Sequence, residues 1–154
     1  MQPYLLSPKE RIRHWRDFRK SLTDKPDREQ LIATSQYCHR FPILLNNYLN
    51  PDRPQDWLTP WELLYLGDFC SVSIPYMMEQ TLIMSNEEKW KPERFQLLYA
   101  DDKELSTMFM ILVIDAKYVL NYSLNEIINF DKIQKHCIIQ NKYSSSKNHR
   151  HILL

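Results

Sequence analysis

A single glycine, Gly67, serves all 154 residues. That scarcity removes several chemistries at once. A phosphate loop needs two glycines and a dinucleotide fingerprint three, because their backbones must approach phosphate closely. A nucleophile elbow of the G-x-S-x-G type needs two as well. The turns must instead be built from nine prolines and from Asn and Asp.

What remains is a chain with enough apolar matter for one core. Hydrophobic residues make up 44%, and a chain of this length should bury roughly two-thirds of its surface on folding. Net charge is +1, so no global field steers the chain toward nucleic acid or membrane. No run of apolar residues is long enough to span a bilayer, and Met1 to Leu6 is too short and uncharged to read as a signal peptide. Cys38, Cys70 and Cys137 are an odd, scattered set, which argues for reduced thiols rather than a disulfide framework. There is no C-x-x-C and no H-x-x-x-H, so the expectation is no metal and no cofactor.

Helix starts are well marked. Ser7-Pro8-Lys9-Glu10 offers a cap, a proline suited to the first turn and a capping-box glutamate. Ile12, Trp15, Phe18 and Leu22 then form one stripe. Asp27 and Gln30 read as a second capping box, before a helix carrying Leu31, Thr34 and Cys38 on one face and ending ahead of Pro42. Residues 42–58 read as an ordered loop packed by Leu44, Leu45, Tyr48 and Trp57. Thr59-Pro60-Trp61-Glu62 opens a short helix that should stop at Gly67. A further helix, capped by Asp68, should run toward Met84 with Pro75 near its first turn or at a kink.

After Lys91 the texture changes. Arg94 to Tyr99 and Met108 to Ile114 read as strands, the second buried on both faces. A tight turn at Asp115-Ala116 returns the chain through Lys117 to Tyr122, and residues 123–134 read as helix. Residues 1–142 then form one domain, with a mobile basic tail over 143–154. Helices first and a compact antiparallel sheet second is an α+β pattern.

The segment Trp57-Leu58-Thr59-Pro60-Trp61-Glu62-Leu63-Leu64, followed by Gly67-Asp68-Phe69-Cys70, resembles the transglutaminase-like cysteine-enzyme superfamily, whose core is papain-like. The likeness is strongest over residues 55–125, and its texture is similar to small transglutaminase-like proteins of tailed phages, those of cyanobacteria above all. The resemblance implies N-terminal helices packed on a small antiparallel sheet, with Cys70 at the nucleophile position. It places the family's aspartate at Asn121 and its histidine near Thr107 or Met108, where this chain has none.

A thiol of ordinary pKa, about 8.5, is only slightly ionised at neutral pH, and acyl transfer needs a base and a proton donor. The resemblance therefore implies a catalytically inactive module: not an enzyme, without a small-molecule substrate, used for structure, assembly or binding. Its expected place is a phage virion, in neck, tail or baseplate, or the host cytoplasm before assembly. Its expected partners are protein subunits. Two alternatives stand beside it: an active cysteine hydrolase or acyltransferase using Cys70, with His136 as the remaining candidate base, and a phage-encoded regulator of a host protein. The candidate binding residues are the terminal Ile152, Leu153 and Leu154 and the basic face Arg11, Arg13 and Arg16. That face reads as a solvated helix face or as a surface meeting an acidic partner subunit, rather than as a nucleic-acid patch. Of the large side chains, Trp90 is the tryptophan expected nearest solvent, and Met77, Met78, Met84, Met108 and Met110 are expected to fill the core.

Overall fold

Two reciprocal capping boxes set where the chain turns helical. Ser7 Oγ accepts from the Glu10 amide while Glu10 reaches back to the Ser7 amide, opening α1 at Pro8–Ser21. Thr59 and Glu62 do the same for α3, Pro60–Leu66. A computed structural model describes residues 5–43 and 49–144, and Leu44, Leu45 and Tyr48 of the expected loop core lie outside them. Between these helices runs α2, Asp27–Cys38. Its cap position is Pro26, with no side-chain cap, and Gln30 turns instead to the Lys25 carbonyl. The central helix α4, Ser73–Ser85, is buried on nearly every side. Pro75 sits in its first turn, where a missing amide costs no helical hydrogen bond.

Gly67 ends α3 in the left-handed region at φ 76°. Beside it Arg11 turns inward. Its guanidinium donates to the carbonyls of Leu64 (2.6 Å) and Tyr65 (2.8 Å), acceptors that the end of α3 leaves open, and to that of Leu6 (2.5 Å) ahead of α1. Arg11 therefore does not share the exposed basic face on which Arg13 and Arg16 lie. A Cβ at position 67 would stand 3.0 Å from Arg11 Nη2. Gly67→Ala is thus strained in backbone and in contact, and urea unfolding should show a loss of about 1–3 kcal/mol.

The five strands are β1 Phe95–Asp102, β2 Thr107–Ile114, β3 Tyr118–Leu120, β4 Ile128–Asn129 and β5 Cys137–Ser144. They form one antiparallel sheet in the order β4-β3-β2-β1-β5. The hairpin expected at Asp115-Ala116 is present, with both residues at positive φ (56° and 53°), as the right-handed twist of paired strands favours. Arg94 clamps Asp115 through two hydrogen bonds at 2.7 and 2.8 Å.

The two faces of the sheet bury different matter. Leu97, Met110, Leu112, Ile114 and Leu120 meet the helices in the main core with Trp15, Leu63, Met77 and Met78. Leu98, Ile111, Val113 and Val119 form a second, smaller core closed by Ile133 of α5, Phe130–Gln134.

Four further sequence expectations are corrected. Residues 123–134 are not one helix: β4 and the short α5 replace it. β5 carries the sheet to Ser144, into the stretch expected as a mobile tail, while Ile152, Leu153 and Leu154 lie outside the described residues. Trp90 is 1% exposed, because its indole donates to Gln30 Oε1 at 2.7 Å and the Arg94 guanidinium lies 4.5 Å over its ring. Met108 is 46% exposed at the open end of β2, whereas Met77, Met78 and Met110 are core.

Candidate functional site

Cys70 sits in the turn that feeds α4. Its amide donates to Ser73 Oγ at 2.8 Å, and that hydroxyl donates back to the Cys70 carbonyl at 2.8 Å. The side chain is fully buried. It stands three residues ahead of Ser73, where the buried helix α4 begins.

Thr107 and Met108 open β2 and carry no imidazole, as the sequence says. An imidazole beside Asn121 comes from the end of α2. Asn121 follows β3 in the left-handed region at φ 69°, which re-aims its side chain out of strand alternation. Asn121 Nδ2 donates to the Met110 carbonyl at 2.8 Å, so its Oδ1 faces His39 Nε2 at 2.8 Å. An amide oxygen only accepts, so Nε2 is a donor, and in the neutral ring Nδ1 is the bare nitrogen. Ser35 Oγ lies 3.2 Å from that Nδ1, one helical turn back along α2. Asn121 thus holds an imidazole in one tautomer.

The chain leaving His39 then runs beside the chain entering Cys70. Phe41 stacks on Phe69 with ring centres 4.1 Å apart, and Ile43 bridges Phe69 in parallel. The sequence offered His136 as the candidate base and gave no signal for His39, which stands 31 positions before Cys70 at the end of a helix. No spacing rule could have found it, since 82 positions separate His39 from Asn121.

A second constellation lies on the opposite face of the sheet. Asp102 and Cys137 are cross-strand partners at the end of β1 and β5, and the Lys103 amide donates to the His136 carbonyl at 2.8 Å. Asp102 is fully buried. Its Oδ1 accepts from the amides of Glu104 (2.9 Å) and Leu105 (3.0 Å), and its Oδ2 accepts from the Tyr122 hydroxyl at 2.7 Å. Burial works to raise the carboxyl's pKa, but these donors together with His136 outweigh it and hold the group below the usual carboxylate range. The same Tyr122 oxygen is 2.7 Å from His136 Nε2, which lies 3.6 Å from Asp102 Oδ2. Burial first, and Asp102 second, push the Cys137 thiol up to about 11. His136 was weighed as a base for Cys70; the structure pairs it with Asp102 and Tyr122 instead.

No protein-family model matches the sequence, and no curated protein matches it. Solved structures do match the fold. LapG of Legionella pneumophila superposes with a TM-score of 0.71 at 15% identity, covering 90% of this chain and 75% of LapG. Its EGTA-treated form gives 0.72 at 15%, covering 90% and 74%. The calcium-bound form gives 0.70 at 15%, covering 91% and 85%. LapG has a transglutaminase-like, cysteine protease-type fold, and this chain shares that α+β fold.

These findings correct the expectation of a chain that is not an enzyme. The chain shares a cysteine protease-type fold, and a Cys/His/Asp cluster is assembled at Asp102, His136 and Cys137, so a chain that is not an enzyme is no longer the expectation. None of the three neighbours is a phage protein, and the expected virion role draws no support from them. The calcium-bound form of LapG raises the question of whether this chain suits that ion. Calcium prefers six to eight oxygen ligands. Among the described residues, the one cluster of three His, Cys, Asp or Glu side chains offers a sulfur, a nitrogen and a carboxylate oxygen, a set that does not fit calcium.

Proposed function

We propose that this protein is a cysteine hydrolase or acyltransferase that works through a thioester on Cys70. The observation that carries this reading is the His39–Asn121 pair. It supplies an oriented imidazole in a fold whose own histidine position holds Thr107 and Met108. His39 Nδ1 takes the thiol proton as sulfur attacks an acyl carbonyl, and returns it to the departing amine or alcohol. Water, or another acceptor, then attacks the thioester by the same route and restores the thiol. Asn121 holds the ring, as an asparagine does in papain-like Cys-His-Asn sites.

In the resting structure Cys70 is fully buried and Ser35 holds Nδ1, so the reading requires that the covering side chains move and the thiol displace the Ser35 hydroxyl. A p-nitrophenyl ester tests it. Mass spectrometry of the folded, reduced protein should place one acyl group on Cys70, and Cys70→Ser should remove the thioester while Ser35→Ala keeps it. Acylation of Ser35, or of Cys137 in place of Cys70, defeats the assignment.

A further inference from the structure

We propose that Asp102, His136 and Cys137 form a binding site for a borderline divalent transition ion, zinc being the first candidate. The site lies on the sheet face turned away from α4, so it is separate from the Cys70 reading and does not depend on it.

The argument begins with where the donors come from. Cross-strand pairing sets Asp102 and Cys137 side by side. The amides of Glu104 and Leu105 fix one carboxylate oxygen, so the other is presented to the cluster in a single direction. His136 presents Nε2 to the same point, and one ligand atom from each of the three residues lies within 4.8 Å of the others. The His136 Nε2 to Asp102 Oδ2 separation is 3.6 Å. Two ligands on a tetrahedral ion with bonds near 2.0–2.1 Å stand roughly 3.3 Å apart, so this edge needs only a small contraction.

The donor chemistry selects the ion. Thiolate, imidazole and carboxylate together suit zinc and its neighbours, whereas magnesium and calcium prefer oxygen alone. Three protein ligands leave one tetrahedral position for water or for the Tyr122 hydroxyl, now 2.7 Å from both Asp102 and His136. The remaining imidazole nitrogen, Nδ1, lies 3.9 Å from Glu104 Oε2. A carboxylate behind a histidine ligand is the usual outer partner of a bound ion. Binding would release the Cys137 proton to solvent, with the thiolate taking its place on the metal.

Cobalt(II) serves as the probe, added to the reduced, folded chain. The expected result is a thiolate-to-cobalt charge-transfer band in the near ultraviolet at one equivalent, bleached by equimolar zinc. Cys137→Ser should abolish the band, and His136→Asn should weaken cobalt binding at least tenfold, each with an unchanged melting temperature in the absence of metal. Glu104→Gln should weaken it by about tenfold, and Tyr122→Phe should retain it. His149 and His151 could bind metal by themselves, so the His149→Gln, His151→Gln double variant is included and should keep the band. The proposal is overturned by the absence of any thiolate band, by a band that survives Cys137→Ser, or by one that disappears with the tail histidines.

Discussion

Replacing His39 with alanine should slow acylation of Cys70 by roughly 10²–10⁴-fold, the usual worth of a positioned proton-transfer group. The expected size follows from the roles the structure gives it. Asn121 Oδ1 accepts from Nε2, so the free lone pair is on Nδ1. That nitrogen is the base of the proposed reaction. Asn121→Ala should cost less, because the imidazole remains and loses only its orientation and fixed tautomer. It should also leave the Met110 carbonyl without its side-chain donor, so its melting temperature must be read beside its rate.

Phe41 and Phe69 tie the two segments together, so a variant that disturbs that stack would slow acylation for a trivial reason. His39→Gln controls for this, since it keeps much of the volume and a donor toward Asn121 while removing the base. If the rates of His39→Ala and His39→Gln match the parent within twofold while Cys70 remains the acylated residue, the imidazole has no part in the reaction and the proposed mechanism is wrong.

The parts of the fold that were legible in the sequence are those governed by local chemistry. Ser7-x-x-Glu10 and Thr59-x-x-Glu62 capped helices because the reciprocal bonds close within one turn. Gly67 marked the end of α3 because few residues other than glycine sit comfortably at φ 76°. The β2–β3 hairpin was visible in an apolar run broken by two residues able to take positive φ. β5 was missed because Cys137-Ile138-Ile139 grades into polar Gln140-Asn141-Lys142. At that edge one face of the strand is wet, with Ile138 51% exposed. Residues 123–134 look helical by composition, yet β4 takes two of them because pairing with β3 satisfies backbone groups along that strand.

The ordered likeness singled out Cys70 and Asn121, and the structure places the first ahead of α4 and the second just after β3, since the order of elements along the chain is a sequence property. The base proposed above was not legible, because His39 and Asn121 stand 82 positions apart and meet only in the folded chain. Asp102, His136 and Cys137 were invisible for a related reason. Their meeting depends on the register of β1 against β5, including a shift between Tyr99 and Ala100, and no motif encodes a register.

A large pH dependence of stability should come from the middle of α4. Glu79 is fully buried, and among the described residues its Oε2 has no hydrogen-bond partner. Its Oε1 accepts only from the neighbouring Gln80 amide at 2.9 Å. Burial raises its pKa from 4.5 to about 8, partly opposed by that hydrogen bond. In the unfolded chain the carboxyl ionises near its ordinary value. Between the two, the folded state holds a proton that the unfolded state has released. The contribution of this group is therefore fully favourable below about pH 4.5, is lost as pH rises, and levels off above about pH 8. At about 1.4 kcal/mol per pH unit the whole span is worth at most roughly 5 kcal/mol, a large share of the 5–15 kcal/mol typical of a folded domain.

Glu79→Gln isolates the effect, because the amide cannot ionise and every other group cancels in the comparison. Urea unfolding of both proteins across this window should show the parent falling relative to the variant as pH rises, so that the variant is the more stable one at alkaline pH. The Gln side chain must place a second donor where Glu79 Oε2 now stands unpartnered, which costs about 1–3 kcal/mol at all pH values and shifts the curves without changing their slopes. Parallel stability curves from pH 5 to 8 would mean that Glu79 meets a cation or water inside the fold and is ionised there.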